Sequence, residues 1–281
     1  MTTAPRWPYY KRRRATLTGV RITLINGSPR KNGNTADTLA ILADSIVDHA
    51  RAAGDAAELA TIDLARLKIN GCRGCRLCFD RGESACPVGD DDVEYVRNTV
   101  RESDAVVIAS PTYMNDVSGL LKTLIDRLAY AAHRPEFYNV TGMALATTAA
   151  SPTRHTTRTI QSAFVSWGAD PTLALGLALG ARTPRDSIRS TYGHRIDVAA
   201  KKLIRATRAA RRGAVPFVRL LVFRIQQYAW AKEDPESVDY RYWQDKGWLD
   251  KKTSFFRPHR AGFPKRALAR VVGSVIGRIF A

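Results

Sequence analysis

The sequence predicts an α/β fold: a doubly wound, five-stranded parallel sheet with helices on both faces, continued by a basic helical extension. Three observations carry this. Short apolar or β-branched runs alternate five times with segments of helical periodicity, the pattern of a parallel sheet covered on both sides. The first of these runs ends in a glycine-containing loop that opens a helix. The charge is also divided: residues 1–181 hold 21 basic and 18 acidic side chains, whereas residues 182–281 hold 23 and 8, within a net charge of +18 over 281 residues. Residues 20–210 are therefore read as the sheet domain, 1–19 as a basic arm and 211–281 as the extension.

Each element has a local reason. Arg21–Asn26 is a β-rich run that stops at Gly27-Ser28-Pro29. Asn34 or Thr35 can cap a helix in which Leu39, Leu42, Ile46 and Val47 recur at helical spacing. Glu58–Leu64 alternates as a second strand. After a cysteine-bearing segment, Asp90-Asp91-Asp92 places carboxylates at the positive end of a helix carrying Val93, Val96 and Val100. Ala105–Ala109 is a buried strand, Pro111–Ser118 a loop and Gly119–Ala132 a helix. Met143–Thr147 is the fourth strand, 156–167 a helix, Thr172–Leu179 the fifth strand, and 186–210 a basic helix. In sheets of this kind ligands sit beyond the carboxyl ends of the strands, at the switch point in strand order. The loops after strands one, three and four are therefore the place to look for a site.

Composition narrows the class. With 45% hydrophobic residues the chain can bury a core, and extensive disorder is excluded. No apolar run approaches the ~20 residues of a membrane crossing. The longest, Ala214–Trp230, is interrupted by Arg219, Arg224, Gln226 and Gln227. All four cysteines fall between positions 72 and 86, which suits a metal centre in a reducing compartment better than scattered disulfides. A cytoplasmic protein is the expectation. Lys11-Arg12-Arg13-Arg14 could head a signal peptide, but Arg21 lies in the following segment and no small-residue cleavage site follows, so it reads as a solvated arm.

Gly27-Ser-Pro-Arg-Lys-Asn-Gly-Asn-Thr35 joins strand one to helix one. Two glycines let backbone amides approach an anion, Ser28 and Thr35 offer hydroxyls, Arg30 a charged fork, and the helix start its dipole. It is a phosphate loop by construction, but neither a Walker A loop nor a Gly-x-Gly-x-x-Gly dinucleotide turn.

Asn26–Thr35 resembles the FMN-phosphate loop of the flavodoxin-like NAD(P)H-dependent FMN reductase family. Ser110-Pro-Thr-Tyr-Met-Asn-Asp-Val-Ser-Gly-Leu-Leu-Lys-Thr-Leu-Ile-Asp126 resembles that family's flavin-ring loop and the helix after it. The two motifs occur in order, and the likeness covers about residues 20–180. It implies a flavodoxin-like sheet of order 2-1-3-4-5, bound FMN, NAD(P)H as electron donor and a homodimer. Carried over by position, Ser28, Arg30, Asn34 and Thr35 hold the FMN phosphate. Pro111, Thr112, Tyr113, Met114 and Asn115 line the isoalloxazine, with Tyr113 stacking on or bordering it. Thr147 belongs to the third flavin loop, Thr147–Pro152, which departs from the family's glycine-rich form. Lys122 and Asp126 read as a helix-surface pair and His155 as an uninvolved exposed histidine.

Cys72, Cys75 and Cys78 stand at C-x-x-C-x-x-C spacing, and Cys86-Pro87 follows. Thiolates select zinc or iron–sulfur centres. Three cysteines on one tight loop are closer to 4Fe-4S ligation than to paired zinc knuckles, with zinc and metal-free redox thiols as the alternatives. The segment also resembles the cysteine motif of iron–sulfur flavoproteins, a branch of the same family, with a longer last spacing.

The extension carries the aromatics Tyr240, Tyr242, Trp243, Trp248, Phe255 and Phe256. It ends in a helix whose Leu268, Val271, Val272, Val275, Ile276 and Ile279 recur at helical spacing beside Lys265, Arg266, Arg270 and Arg278. Such a helix either packs on the sheet domain or a second subunit, or lies on an anionic membrane. No nucleic-acid motif appears, and nucleic acid is not an expected partner. The expected activity is electron transfer from NAD(P)H through FMN to an acceptor. The rival is an electron carrier reduced by ferredoxin.

Overall fold

Alternation at period two puts successive side chains of each strand on opposite faces. In the computed structural model, which describes residues 19–169 and 172–280 apart from the Phe280 side chain, that alternation divides the core in two. Strands β1 (Gly19–Asn26), β2 (Ala56–Asp63), β3 (Ala105–Pro111), β4 (Thr141–Thr148) and β5 (Thr172–Ala178) form one parallel sheet in the order 2-1-3-4-5. Val20, Ile22 and Leu24 of β1 and Val107 of β3 face the helices α1 (Asn34–Ala52) and α6 (Arg185–Arg211). Ile25, Val106 and Ile108 face α3 (Val93–Glu102), α4 (Gly119–Arg127) and α5 (Arg154–Ser166). Strands β3 and β4 are buried along their whole length, as central strands of a two-sided sheet must be.

Two elements differ from expectation. The helix expected over Gly119–Ala132 ends at Arg127, and Ala129–Ala132 tightens into a 3-10 turn that buries Tyr130 and Ala131. The aromatic stretch of the extension contains a helix, α8 (Val238–Asp245), whose cap Ser237 accepts a hydrogen bond from the Tyr240 amide at 3.1 Å. The basic arm, with Lys11–Arg14, lies outside the described residues.

The extension builds a third core from Phe223, Trp243, Trp248, Phe255 and Phe256. It comprises α7 (Phe217–Trp230), α8 and α9 (Phe263–Phe280). It is fastened to the sheet domain mainly through backbone carbonyls. Gln226 donates to Ala132 O at 3.0 Å, the Trp243 indole to His133 O at 2.8 Å, and the Tyr242 hydroxyl to Pro135 O at 2.9 Å. Arg257 reaches Ala210 O at 2.9 Å. Helix α9 lays a strip of small residues against α7. A Cβ at Gly273 would stand 2.8 Å from Arg224 Cβ and 3.2 Å from the Leu221 carbonyl, so only glycine allows this approach. Among the described residues, no helix is long and apolar enough to cross a membrane.

Candidate functional site

The loops after β1, β3 and β4 meet at the carboxyl edge of the sheet. Gly27 begins the first. Its amide donates to Ala109 O at 2.8 Å, and a Cβ there would stand 2.9 Å from that same oxygen, so the glycine lets the first loop leave β1 close against β3. Ser28 is buried, and its hydroxyl accepts from the Arg30 amide at 3.1 Å, which turns the loop back on itself. Thr35, at the start of α1, shares a hydrogen bond with Thr147 at 2.7 Å. Thr147 O in turn accepts from the Thr112 amide at 2.7 Å, so all three loops are joined through Thr147. Ser118 caps α4, accepting from the Leu121 amide at 3.2 Å and donating to Gly27 O, which ties the first loop to the second.

The second loop carries a tight turn. Tyr113 and Asp116 exchange backbone hydrogen bonds at 2.9 and 3.0 Å, and between them Met114 and Asn115 both have left-handed backbone, at φ 45° and 66°. Two consecutive positive φ values define a type I′ turn, which asparagine tolerates and methionine does not favour. Met114 is 98% and Tyr113 41% exposed, large apolar groups held in solvent at some backbone cost. Asp116 anchors the base of the turn, accepting from Thr159 Oγ1 at 2.7 Å, with His155 at 3.6 Å.

The four cysteines line one cavity of about 680 Å³, bordered by α3, the end of α4 and Tyr130. Positive φ at Gly74 and Arg76 wraps the chain into the short helix α2 (Leu77–Asp80), and the Gly74 amide points at Cys72 Sγ at 3.4 Å. Cys72 and Cys75 are exposed, Cys78 and Cys86 half-buried. Burial, then the neighbouring Cys72 and Cys86, push the Cys78 thiol above its ordinary range, against the pull of Arg134. Among the described residues no three His, Cys, Asp or Glu side chains are gathered closely enough to hold a single metal ion.

The segment is anchored by charge. Asp91 pairs with Arg127, both buried, and accepts from the Asn70 amide at 2.8 Å. Burial would raise the Asp91 carboxyl, but the Arg127 bond and the amides of Asn70 and Val93 outweigh it and hold the group below its usual value. Asp92 accepts from the Lys68 amide at 2.8 Å. Asp91 and Asp92 thus pin the base of the cysteine segment besides standing at the start of α3. Arg97 binds Glu136 at 2.8 Å and Glu83 at 2.9 Å. Burial opposes its charge, but those carboxylates raise its pKa overall. Arg134 donates to Cys78 O and pairs with Asp239 of α8, which also meets His133 at 2.7 Å.

The model for NADPH-dependent FMN reductase matches residues 20–174, more than half the chain. The chain belongs to the NADPH-dependent FMN reductase family. Within it, the chain is 39% identical over 111 residues to an iron-sulfur flavoprotein of Archaeoglobus fulgidus, covering 40% of this chain and 46% of that one. It is 40% identical over 106 residues to an iron-sulfur flavoprotein of Clostridioides difficile, covering 38% and 44%. The chain thus spans less than half the length of each relative. Its fold is also similar to that of RosB, solved with bound 8-demethyl-8-formylriboflavin-5'-phosphate, at a TM-score of 0.50 and 18% identity over 69% of this chain and 79% of that one.

The loops of this FMN reductase family member suit a flavin phosphate. Arg30 and Lys31 are exposed, and no ion pair engages either among the described residues. Gly33, the residue before α1, offers no side-chain cap, so the first amides of the helix have no acceptor from a capping side chain. Of the residues expected there, Ser28, Arg30 and Thr35 share the loop. The Asn34 side chain instead engages Gly180 O at 3.0 Å and the Thr183 amide at 2.9 Å, holding the loop after β5 in place. Pro111 and Thr112 continue from β3 into the turn bearing Tyr113, Met114 and Asn115. Sequence reasoning missed Arg182, which donates to Asn32 O at 2.8 Å, and Ser118. It also missed the ion pairs around the cysteines, because no spacing rule links Asp91 to Arg127 or Arg134 to Asp239. The helix-start serine before Gly119 was the one available signal.

Proposed function

We propose that this chain is an FMN-dependent oxidoreductase that takes electrons from NAD(P)H and delivers them to an acceptor through FMN and a 4Fe-4S cluster. One observation supports the flavin reading above others: Thr147 bonds both the phosphate loop, through Thr35, and the Tyr113 loop, through Thr112. The loop that would take the phosphate and the loop that would border the ring are therefore tied side by side at the switch point between β1 and β3.

Ser28, Arg30 and Thr35 would bind the phosphate, and the Tyr113–Asp116 turn would border the ring with the Met114 and Asn115 backbone at its tip. Cys72, Cys75, Cys78 and Cys86 would hold the cluster, since all four line one cavity. When bound, FMN supplies hydride acceptance and the cluster one-electron transfer, so no general acid or base is required of the protein. The cysteine cavity borders Asp126 and Arg127 at the end of α4, whereas the flavin loops adjoin Ser118 at its start. Nine residues of helix span about 13 Å. A homodimer that sets one chain's cysteines against its partner's flavin loops would shorten that path.

The test is anaerobic addition of NADPH or NADH to the flavin-loaded protein. Bleaching of the flavin absorbance within seconds is expected. The exposure of Cys72 and Cys75 favours one second reading, an electron carrier reduced by ferredoxin. No bleaching by either nicotinamide, with prompt bleaching by reduced ferredoxin, would establish the carrier instead.

A further inference from the structure

The glycine strip of α9 has a consequence for its opposite side. With Ala269, Gly273 and Gly277 turned to α7, the apolar row Leu268, Val271, Val275 and Ile279 is turned outward, and each of these four is more than half exposed. Four large aliphatic residues along one exposed helix face form a contiguous apolar surface of the kind that soluble monomers seldom leave open. The helix carries Lys265, Arg266, Arg270 and Arg278 and no acidic residue.

Beside the row lies a cavity of about 370 Å³ between α7, α9 and the 251–254 loop. Its floor is apolar, from Leu220, Phe223 and Ala269, and its rim carries Arg224, Lys251, Lys252, Arg266 and Arg270, with no acidic side chain in the lining. Arg224 is half-buried there. Its partners are neutral, Ser274 Oγ at 3.0 Å and Gln227 Oε1, and no carboxylate pairs with it among the described residues. Burial, and then the nearby Arg270, disfavour its charge. A partly buried cation facing other cations calls for an anion.

We propose that α9 and this basic pocket dock the protein on an anionic lipid surface, the outward row entering the interface and the pocket receiving a lipid phosphate. Charge complementarity selects this occupant. A second copy paired along α9 would set Arg270 and Arg278 against like charges, with no acidic residue on the helix to relieve them. Nucleic acid would leave the apolar row uncovered. Amphipathic helices with basic flanks lie in the interface plane in this way, and each basic residue near an anionic surface strengthens binding severalfold.

The test is sedimentation of the intact 281-residue chain, flavin-loaded, with phosphatidylcholine vesicles, with and without phosphatidylglycerol. Binding is expected only to the anionic vesicles and to weaken with salt. Val271→Glu with Val275→Glu, both at exposed positions, should reduce it at least tenfold without changing the circular dichroism or the flavin content. Lys251→Gln with Arg270→Gln should reduce it by about thirtyfold. Protein that stays in the supernatant with anionic vesicles overturns the proposal, as does equal binding to neutral vesicles or equal binding by either double variant. A dimer in solution that dissociates on Val275→Glu also overturns it, and assigns the row to a second copy.

Discussion

The flavin-side loops and the cysteine segment are both connections following strands of one sheet, yet they are held in opposite ways. The first are fixed mainly by neutral hydrogen bonds among the loops, β3, β4 and the start of α1: Gly27 to Ala109, Thr35 to Thr147, Thr112 to Thr147. The second is held by buried ion pairs reaching across the chain: Asp91 to Arg127, Arg97 to Glu136, Arg134 to Asp239. A neutral bond lost at the first site costs on the order of 1 kcal/mol, whereas stripping one partner from a buried pair strands a charge. The cysteine segment should therefore fail abruptly, and the flavin loops by degrees.

The sharpest way to break that contrast is Asp91→Ala. Leaving Arg127 buried without its carboxylate should cost about 3–5 kcal/mol in chemical denaturation, with loss of the cysteine segment's protection from hydrogen exchange. A change under about 1 kcal/mol would remove the contrast. The same pair sets an acid limit. The Asp91 carboxyl lies below its ordinary 3.8 in the folded chain, so its contribution is present above that value and is lost as pH falls through the folded pKa.

Asp239→Ala should act similarly but less, by roughly 2–3 kcal/mol, because Arg134 keeps the Cys78 carbonyl and Glu83 at 3.6 Å. Since Asp239 belongs to the extension, this variant also tests whether α8 braces the cysteines; thiol labelling of Cys78 should accelerate. On the flavin side, Gly27→Ala would force a Cβ to 2.9 Å from Ala109 O and should cost about 1–3 kcal/mol. Arg30→Ala, at an exposed position, should leave the melting temperature unchanged and weaken FMN binding about ten- to a hundredfold by titration calorimetry. An unchanged affinity would remove Arg30 from the phosphate site.

The smallest effect is expected in the extension. Burial, then Arg266, Arg257 and Lys265, lower the pKa of His259, and its Nδ1 accepts from the Ala261 amide at 3.1 Å. The unfolded chain then takes up this proton at higher pH than the folded one. Stability of the extension should decline gently as pH falls below about 6.5, and level off below the folded pKa. Tryptophan fluorescence during denaturation at stepped pH reads this directly, and a flat profile would show that His259 does not contribute.

Legibility followed the range of the interactions. The strands, the loop after β1 and the start of α1 were readable because β-branched runs, glycines and capping residues act within a few positions. Pro111–Ser118 was readable as a loop, but not its tight turn, since nothing local announces left-handed backbone at Met114. The bonds of the Asn34 side chain to Gly180 and Thr183 were not readable, because those partners lie far along the chain and no local spacing announces them. Helix α8 hid in an aromatic run because its burial depends on partners in α7 and the sheet domain.

By itself, the sequence determined that this chain forms a parallel α/β sheet with a glycine-containing turn after its first strand, a compact set of thiols and a basic amphipathic end, because those properties are written in residue type and short-range spacing. Only the tertiary structure decided which charges bury one another around the cysteines, and which side of α9 faces out. Both depend on what the remainder of the chain brings alongside. Small residues rather than large ones determine the side of α9 that can approach α7, since backbone contact at Gly273 excludes any Cβ.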